Sequence, residues 1–275
     1  MIFKMIFKLI FLNNNIISII MKTYLFIDLS YFIFYLYYAR KKYFEFQKKD
    51  TTDLINNTEF LEGFSNFDLK LKQLRKNLNL PEDVIIIFGK DCRRSEIWRN
   101  DLYPQYKQSR KVNNEVGDFF AHIYTNIIDK YTFIENERCE ADDVIGILTK
   151  SLYENNTVYI ITGDHDYLQL LYNDNVQIYN MKLKNLRDKS SGNRYTDLMM
   201  KILCGDNSDN IYAIHTKLGP KTAMKYIANN EELIKKCADQ TIKENLERNK
   251  KLIDMEYIPE NYKKQIIDKF KLLNL

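Results

Sequence analysis

Residues 157–166 read TVYIITGDHD, a β-branched and aromatic run that ends in Asp164 and Asp166. Such a run predicts a buried strand with two carboxylates just past its carboxyl end. Working outward, Tyr24–Ile27, Val84–Phe88 and Val176–Tyr179 have the same strand character. Helical patterns separate them, as in Phe64, Phe67, Leu71, Leu74 and Leu78 at steps of three and four. This alternation predicts an α/β domain with a mainly parallel sheet. Beyond about residue 200 the strand signal stops, and a Lys-rich helical pattern runs to Leu275 with a turn at Lys217–Pro220. A boundary near 197 is therefore expected. The polar, aromatic stretch Arg40–Asn66 fits no element, and no internal repeat is present.

The chain has 275 residues, 45% of them hydrophobic, with 20 Tyr and 16 Phe. That composition supports a large core and excludes disorder as the dominant state. Only 8 Gly and 4 Pro occur, so two domains should be contiguous rather than tethered. Cys92, Cys139, Cys204 and Cys237 form no C-x-x-C pair, which argues against a zinc ribbon or disulfide scaffold and for a reducing compartment. Residues 1–20 are apolar but interrupted by Lys4, Lys8 and Asn13–Asn15, and no small-residue cleavage site follows. The expectation is a dispensable extension over residues 1–21 of an intracellular protein, neither secreted nor membrane-bound.

In open α/β sheets, ligands bind in the crevice outside the carboxyl ends of the strands. Asp28 closes YLFID, Asp91 follows VIIIFGK, and the helix opening CEADDVIGIL carries Glu140, Asp142 and Asp143 in its first turn. One such group alone would read as an N-cap, because a helix start favours anions. Four segments converging on one sheet edge exceed that explanation, since packed like charges repel by on the order of several kcal/mol. Oxygen donors without His or Cys predict Mg²⁺ or Mn²⁺ among them. Asp206 and Asp209, in LCGDNSDNI, would alone be an Asp-rich turn. Joined to the other seven they predict a second ion, as in sites where two dications roughly 4 Å apart promote in-line phosphoryl displacement. The formal charge is +4 from 41 basic and 37 acidic residues. With nine acids neutralised by metal, 41 basic against 28 acidic side chains leave +13, a basic surface around an acidic hole.

Between the second strand and that acidic helix lies CRRSEIWRNDLYPQYKQSRK. Arg93, Arg94, Arg99, Lys107, Arg110 and Lys111 interleave there with Trp98, Tyr103 and Tyr106. Alone this would be a solvated helix. Beside a metal site it predicts a grip on single-stranded nucleic acid, by phosphate pairing and base stacking. Trp98 reads equally as packing or as stacking.

These motifs resemble the metal-dependent 5′ nucleases: flap endonucleases, phage 5′–3′ exonucleases and the 5′-nuclease domain of bacterial DNA polymerase I. The matching residues are FIDLS at 26–30, Asp91 with WR at 98–99, YKQSR at 106–110, CEADD at 139–143, TGDHDYLQL at 162–170, GDNSDNI at 205–211 and LGPKTA at 218–223. They cover about 22 to 230, and the spacing from Asp91 to Trp98 is most like the tailed-phage ribonuclease-H-type member. The resemblance implies a PIN-like core over 22–197 with a helical arch near 93–130. It also implies a helix–three-turn–helix subdomain and helical tail over 198–275. Asp28, Asp91, Glu140, Asp142, Asp143, Asp164, Asp166, Asp206 and Asp209 would hold two ions of Mg²⁺ or Mn²⁺. Lys107 and Arg110 would be catalytic, with Lys107 on the scissile phosphate. Arg99, Tyr106, Lys217, Gly219, Lys221 and Thr222 would contact nucleic acid. The implied substrate is DNA with a 5′ flap or end, or an RNA–DNA hybrid, met in replication or repair by a monomer.

One stretch departs from the family pattern. DNIYAIHTKLGPKTA stands where related chains read DNIPGVxGIGxKTA, so Pro-Gly becomes Tyr212–Ala213 and Lys217 replaces the first hairpin glycine. Glycines let backbone amides approach a phosphate closely, and here only Gly219 remains. Lys217 and Lys221 are expected to replace part of that contact by charge. Two further readings stay open. A PIN-type ribonuclease acting on single-stranded RNA would need neither the second acidic pair nor LGPKTA. A non-catalytic branched-DNA-binding protein would be expected to lose acids that this chain keeps. An aspartyl-phosphate hydrolase ranks lower, because Ser30 stands where that chemistry wants an acid.

Overall fold

The structure, a computed structural model, describes residues 21–110 and 114–275. The expectation for residues 1–20 lies outside the described residues. The strands are β1 (Thr23–Asp28), β2 (Ile85–Lys90), β3 (Phe133–Glu135), β4 (Thr157–Ile161) and β5 (Val176–Tyr179). The helices of the first two-thirds are α1 (Leu29–Phe46), α2 (Thr58–Phe64), α3 (Phe67–Asn77), α4 (Arg99–Leu102), α5 (Asn114–Asn126) and α6 (Ala141–Leu152). Those that follow are α7 (Arg194–Cys204), α8 (Pro220–Ala228), α9 (Asn230–Lys236), α10 (Gln240–Ile253) and α11 (Glu260–Leu272).

All strand pairs are parallel, in the order β3–β2–β1–β4–β5. Central β1 pairs Tyr24 with Ile85 and Val158, and Ile27 with Phe88 and Ile161. Its side chains alternate between faces, as the two-residue period of a strand requires. Tyr24 and Phe26 enter one core, Leu25 and Ile27 the other. Both faces are covered, which is why the strands read as unbroken apolar runs. The chain steps outward from β1 through β2 to β3 on one side, and through β4 to β5 on the other. That reversal between β1 and β4 opens a crevice at their carboxyl ends.

One face of the sheet is covered by α1, α2, α3 and α5 through Phe32, Phe60, Phe67 and Phe119. The segment 40–66 finds its place here. α1 continues to Phe46, and α2 then buries Phe60 and Phe64 one turn apart. The opposite face is covered by α6 and, from the far end of the chain, by α11 through Ile266. The tail after the second subdomain therefore returns to the sheet. Lys269 Nζ reaches the carbonyl of Glu135 at 2.7 Å, and the Phe270 ring lies 5.9 Å from that of Tyr24. A third core joins α7, α8, α9 and α10 through Ile202, Tyr226, Leu233 and Leu246. Among the described residues, no helix is long and apolar enough to cross a membrane.

Among the described residues, the basic stretch expected to form an arch near 93–130 holds two short 3₁₀ turns, Arg94–Glu96 and Ile128–Lys130, with the four-residue α4 and the longer α5 between them. α5 packs into the core by Val116, Phe119 and Ile123. The residues before it are stitched to the loop 206–210. Asn210 Nδ2 donates to the carbonyl of Gln105 at 2.9 Å, and Lys107 N to that of Asp209 at 2.9 Å.

Candidate metal centre and active site

Helix starts and strand ends place the acids. Asp28 ends β1 and accepts from the amide of Tyr31, capping α1. Asp91 follows β2 and accepts from the amide of Ala141 at 2.8 Å and from the Ser30 hydroxyl. Glu140 is the N-cap residue of α6, and Asp143 Oδ2 accepts its amide at 3.1 Å. Asp164 and Asp206 each accept an amide two residues on, from Asp166 and Ser208. Contacts with free amides thus account for these acids standing where they do. Those contacts do not explain why the acids face one another.

Seven of the nine, Asp28, Asp91, Glu140, Asp142, Asp164, Asp166 and Asp206, line one cavity of about 1640 Å³ at the crevice. Glu140, Asp142 and Asp143 offer carboxylate oxygens within 4.8 Å of one another, and so do Asp166, Asp206 and Asp209. Their electrostatics record the crowding. Burial, then Asp91 and Asp164, pushes Asp28 up to about 7. Burial also raises Asp91, and burial followed by Glu140 and Asp143 holds Asp142 well above the carboxylate range. A set of oxygen donors with proton affinities raised in this way fits a divalent cation, which would replace protons as the counter-charge.

Cations supply the rest of the balance. Burial alone would raise Glu140, but Lys107 and Arg99 more than offset it and hold this carboxyl below its ordinary range. Burial works against the Lys107 ammonium, yet Glu140 and Asp209 raise its affinity for the proton. Lys107 Nζ pairs with Glu140 and lies 3.7 Å from Asp209, and Arg110 pairs with Asp209. Lys201 on α7 carries no signal in the motifs, yet it pairs with Asp166 and, at 2.7 Å, with Asp206. Burial would raise Asp206, but Lys201 brings it down to about 2. Gly205 makes this loop possible. Its φ is +72°, and a Cβ there would lie 2.3 Å from the carbonyl of Ile211, the residue that pairs with Asp206.

Two residues expected to contact nucleic acid are turned inward: Arg99 is 2% exposed and Tyr106 5% exposed. Arg99 forks onto Asp143, while the Tyr106 hydroxyl donates to Glu140 at 2.9 Å and also lies 3.2 Å from Asp209. Trp98 is packing: it is buried, and its Nε1 donates to Asp143 at 3.0 Å. Asp143 is fully buried off the cavity wall, and its oxygens accept from Arg99, Trp98 and the Glu140 amide. Asp209 is buried as well and lies off the wall. Lys217 and Lys221 are exposed, and Gly219 and Thr222 half-buried, around the start of α8.

The sequence profile of the family described as "5′-3′ exonuclease, N-terminal resolvase-like domain" matches residues 23–197. The 5′-3′ exonuclease of Mycoplasmopsis pulmonis is 33% identical over 182 residues, 62% of this chain and 58% of that protein. The chain thus spans little more than half the length of that relative. Ribonuclease H of enterobacteria phage T4 is 28% identical over 225 residues, 73% of each chain. A solved structure of T5 5′-exonuclease with zinc bound superposes at a TM-score of 0.64 and 17% identity, covering 90% of this chain and 99% of that one. This likeness establishes a shared fold. A profile spanning the whole sheet, from β1 to the start of α7, leads to one conclusion: this chain belongs to the 5′-3′ exonuclease family that carries the N-terminal resolvase-like domain.

Proposed function

We propose that this chain is a divalent-metal-dependent 5′–3′ exonuclease and 5′-flap endonuclease that hydrolyses phosphodiester bonds of DNA. The observation that carries the reading is the convergence of seven carboxylates from separate segments on one cavity, with Lys107 and Arg110 on its wall. Asp28, Asp91, Glu140 and Asp142 form one side of the donor set; Asp164, Asp166 and Asp206 form the other. Bound there, two ions of Mg²⁺ or Mn²⁺ would supply an activated water and a counter-charge for the leaving oxygen.

The chain's own residues hold and orient the phosphodiester. Lys107 keeps its proton because Glu140 and Asp209 raise its proton affinity, so it acts as a fixed cation and donor rather than as a base. Arg110 adds a planar fork suited to non-bridging phosphate oxygens. A phosphate entering the cavity competes with Glu140 and Asp209 for these two cations. Lys217, Lys221, Gly219 and Thr222 sit together around the start of α8, where free amides and ammonium groups favour a duplex phosphate. The substrate is DNA with a single-stranded 5′ end or flap, bound by a monomer; an RNA–DNA hybrid offers the same 5′ end.

The test is cleavage of a 5′-flap duplex in Mg²⁺. The wild-type chain is expected to cut it with release of 5′-terminal products, and Asp164→Ala and Asp166→Ala to lose that activity. Undiminished cutting by both variants would overturn the assignment.

A further inference from the structure

The C-terminal end of α10 is held by two side chains, each of which also holds one of the two carboxylate groups. Arg99 is the first. Its Nε donates to the carbonyl of Leu252 at 2.7 Å, in the last turn of α10. Nη1 reaches Glu140 at 3.1 Å and Asp143 at 2.9 Å, and Nη2 reaches Asp143 at 2.7 Å. Only a planar guanidinium offers enough fixed donors for three acceptors in one plane. A cation is also favoured at a helix end whose carbonyls lack partners.

Gln169 is the second. Its Nε2 donates to the carbonyl of Ile253 at 3.1 Å and to that of Asp166 at 3.0 Å, while its Oε1 accepts the amide of Met255 at 3.0 Å. Further back, α10 grips the hairpin segment. Asn249 Nδ2 donates to the carbonyls of Ile202 and Tyr212 at 2.9 and 2.8 Å, and Asn245 Nδ2 to that of Ile214 at 3.1 Å.

We propose that Arg99 and Gln169 are positioning residues that lock both carboxylate groups to the end of α10, and through α10 to the hairpin 212–219. Arg99 fixes Glu140 directly and through Asp143, which serves as its internal counter-ion. Gln169 fixes the backbone of Asp166. Metal affinity therefore depends on two side chains, one cationic and one neutral, neither of which offers a carboxylate to an ion. The inference rests on the metal-dependent reading above.

The experiment is Mn²⁺ titration by calorimetry on the full chain without DNA, with thermal unfolding measured in parallel. Arg99→Lys keeps the charge but loses the fork, and Gln169→Leu keeps the bulk but loses the three hydrogen bonds. Each is expected to weaken Mn²⁺ binding by about 10- to 100-fold, the range seen when groups that orient metal ligands are removed. Leu246→Ala, which removes buried apolar contact from the third core but leaves every hydrogen bond of Arg99 and Gln169 in place, should lower the Tm yet leave Mn²⁺ affinity within about twofold. Wild-type affinity in both polar variants, or an equal loss in Leu246→Ala, would overturn the proposal. If one polar variant fails to fold, the other decides. A wild-type chain that binds no Mn²⁺ would overturn the metal reading, and this inference with it.

Discussion

Lys217 has a φ of +61°, in the left-handed region that side chains other than glycine enter at roughly 1 kcal/mol. The resemblance led to a hairpin glycine at this position, and the backbone here takes the left-handed conformation that glycine favours. Lys217→Gly is expected to raise the unfolding free energy by up to about 1 kcal/mol in denaturant titration. It should also weaken duplex binding and lower the salt slope by about one. Lower stability in the variant would contradict the strain argument. Lys107 is also left-handed, at φ +54°, and is held there by its amide on Asp209 and its ammonium on Glu140. At this scale the acids were legible, because a carboxylate after a short apolar run can only sit at a strand's end. The roles of Arg99 and Tyr106 were not. A basic, aromatic segment has the same composition whether it lines a groove or fills one, and burial decides between the two.

α5 is fastened by Phe119, whose ring lies 4.8 Å from Tyr37, 5.4 Å from Phe60 and 5.2 Å from Phe64. Because that site is enclosed by rings from α1 and α2, Phe119→Ala should cost about 3–5 kcal/mol in urea unfolding. A loss below about 1 kcal/mol would mean that α5 is not anchored through this residue. Four of the five strands were readable element by element, since parallel strands buried on both faces leave unbroken apolar runs; the three-residue edge strand β3, Phe-Ile-Glu, leaves no such run. The stretch 40–66 was not readable either, because its apolar residues are divided among the end of α1, a connecting loop and the seven-residue α2, too few in each to show a period. The return of α11 to the sheet was equally hidden. Amphipathic spacing shows that a helix has a buried face, but not which core receives it.

Across the whole molecule, three apolar cores surround a cavity whose wall is crowded with carboxylates. The balance of those charges sets how stability varies with pH. Asp28, raised from 3.8 to about 7, binds its proton more tightly in the folded chain, so its contribution is present at low pH and lost as pH rises through that window. Asp91 and Asp142 shift in the same direction. Asp206 and Glu140 shift the other way, and their contributions fade only below the ordinary carboxylate range. Between about pH 5.5 and pH 8 the raised groups therefore dominate among the shifted acids.

The most direct measurement is the thermal midpoint in EDTA and in Mg²⁺ at those two pH values. The account expects the midpoint in EDTA to fall as pH rises, and Mg²⁺ to raise it more at the higher pH, where the carboxylates are ionised and ready to bind. A midpoint in EDTA that is flat or rising, together with no larger gain from Mg²⁺ at the higher pH, would contradict it.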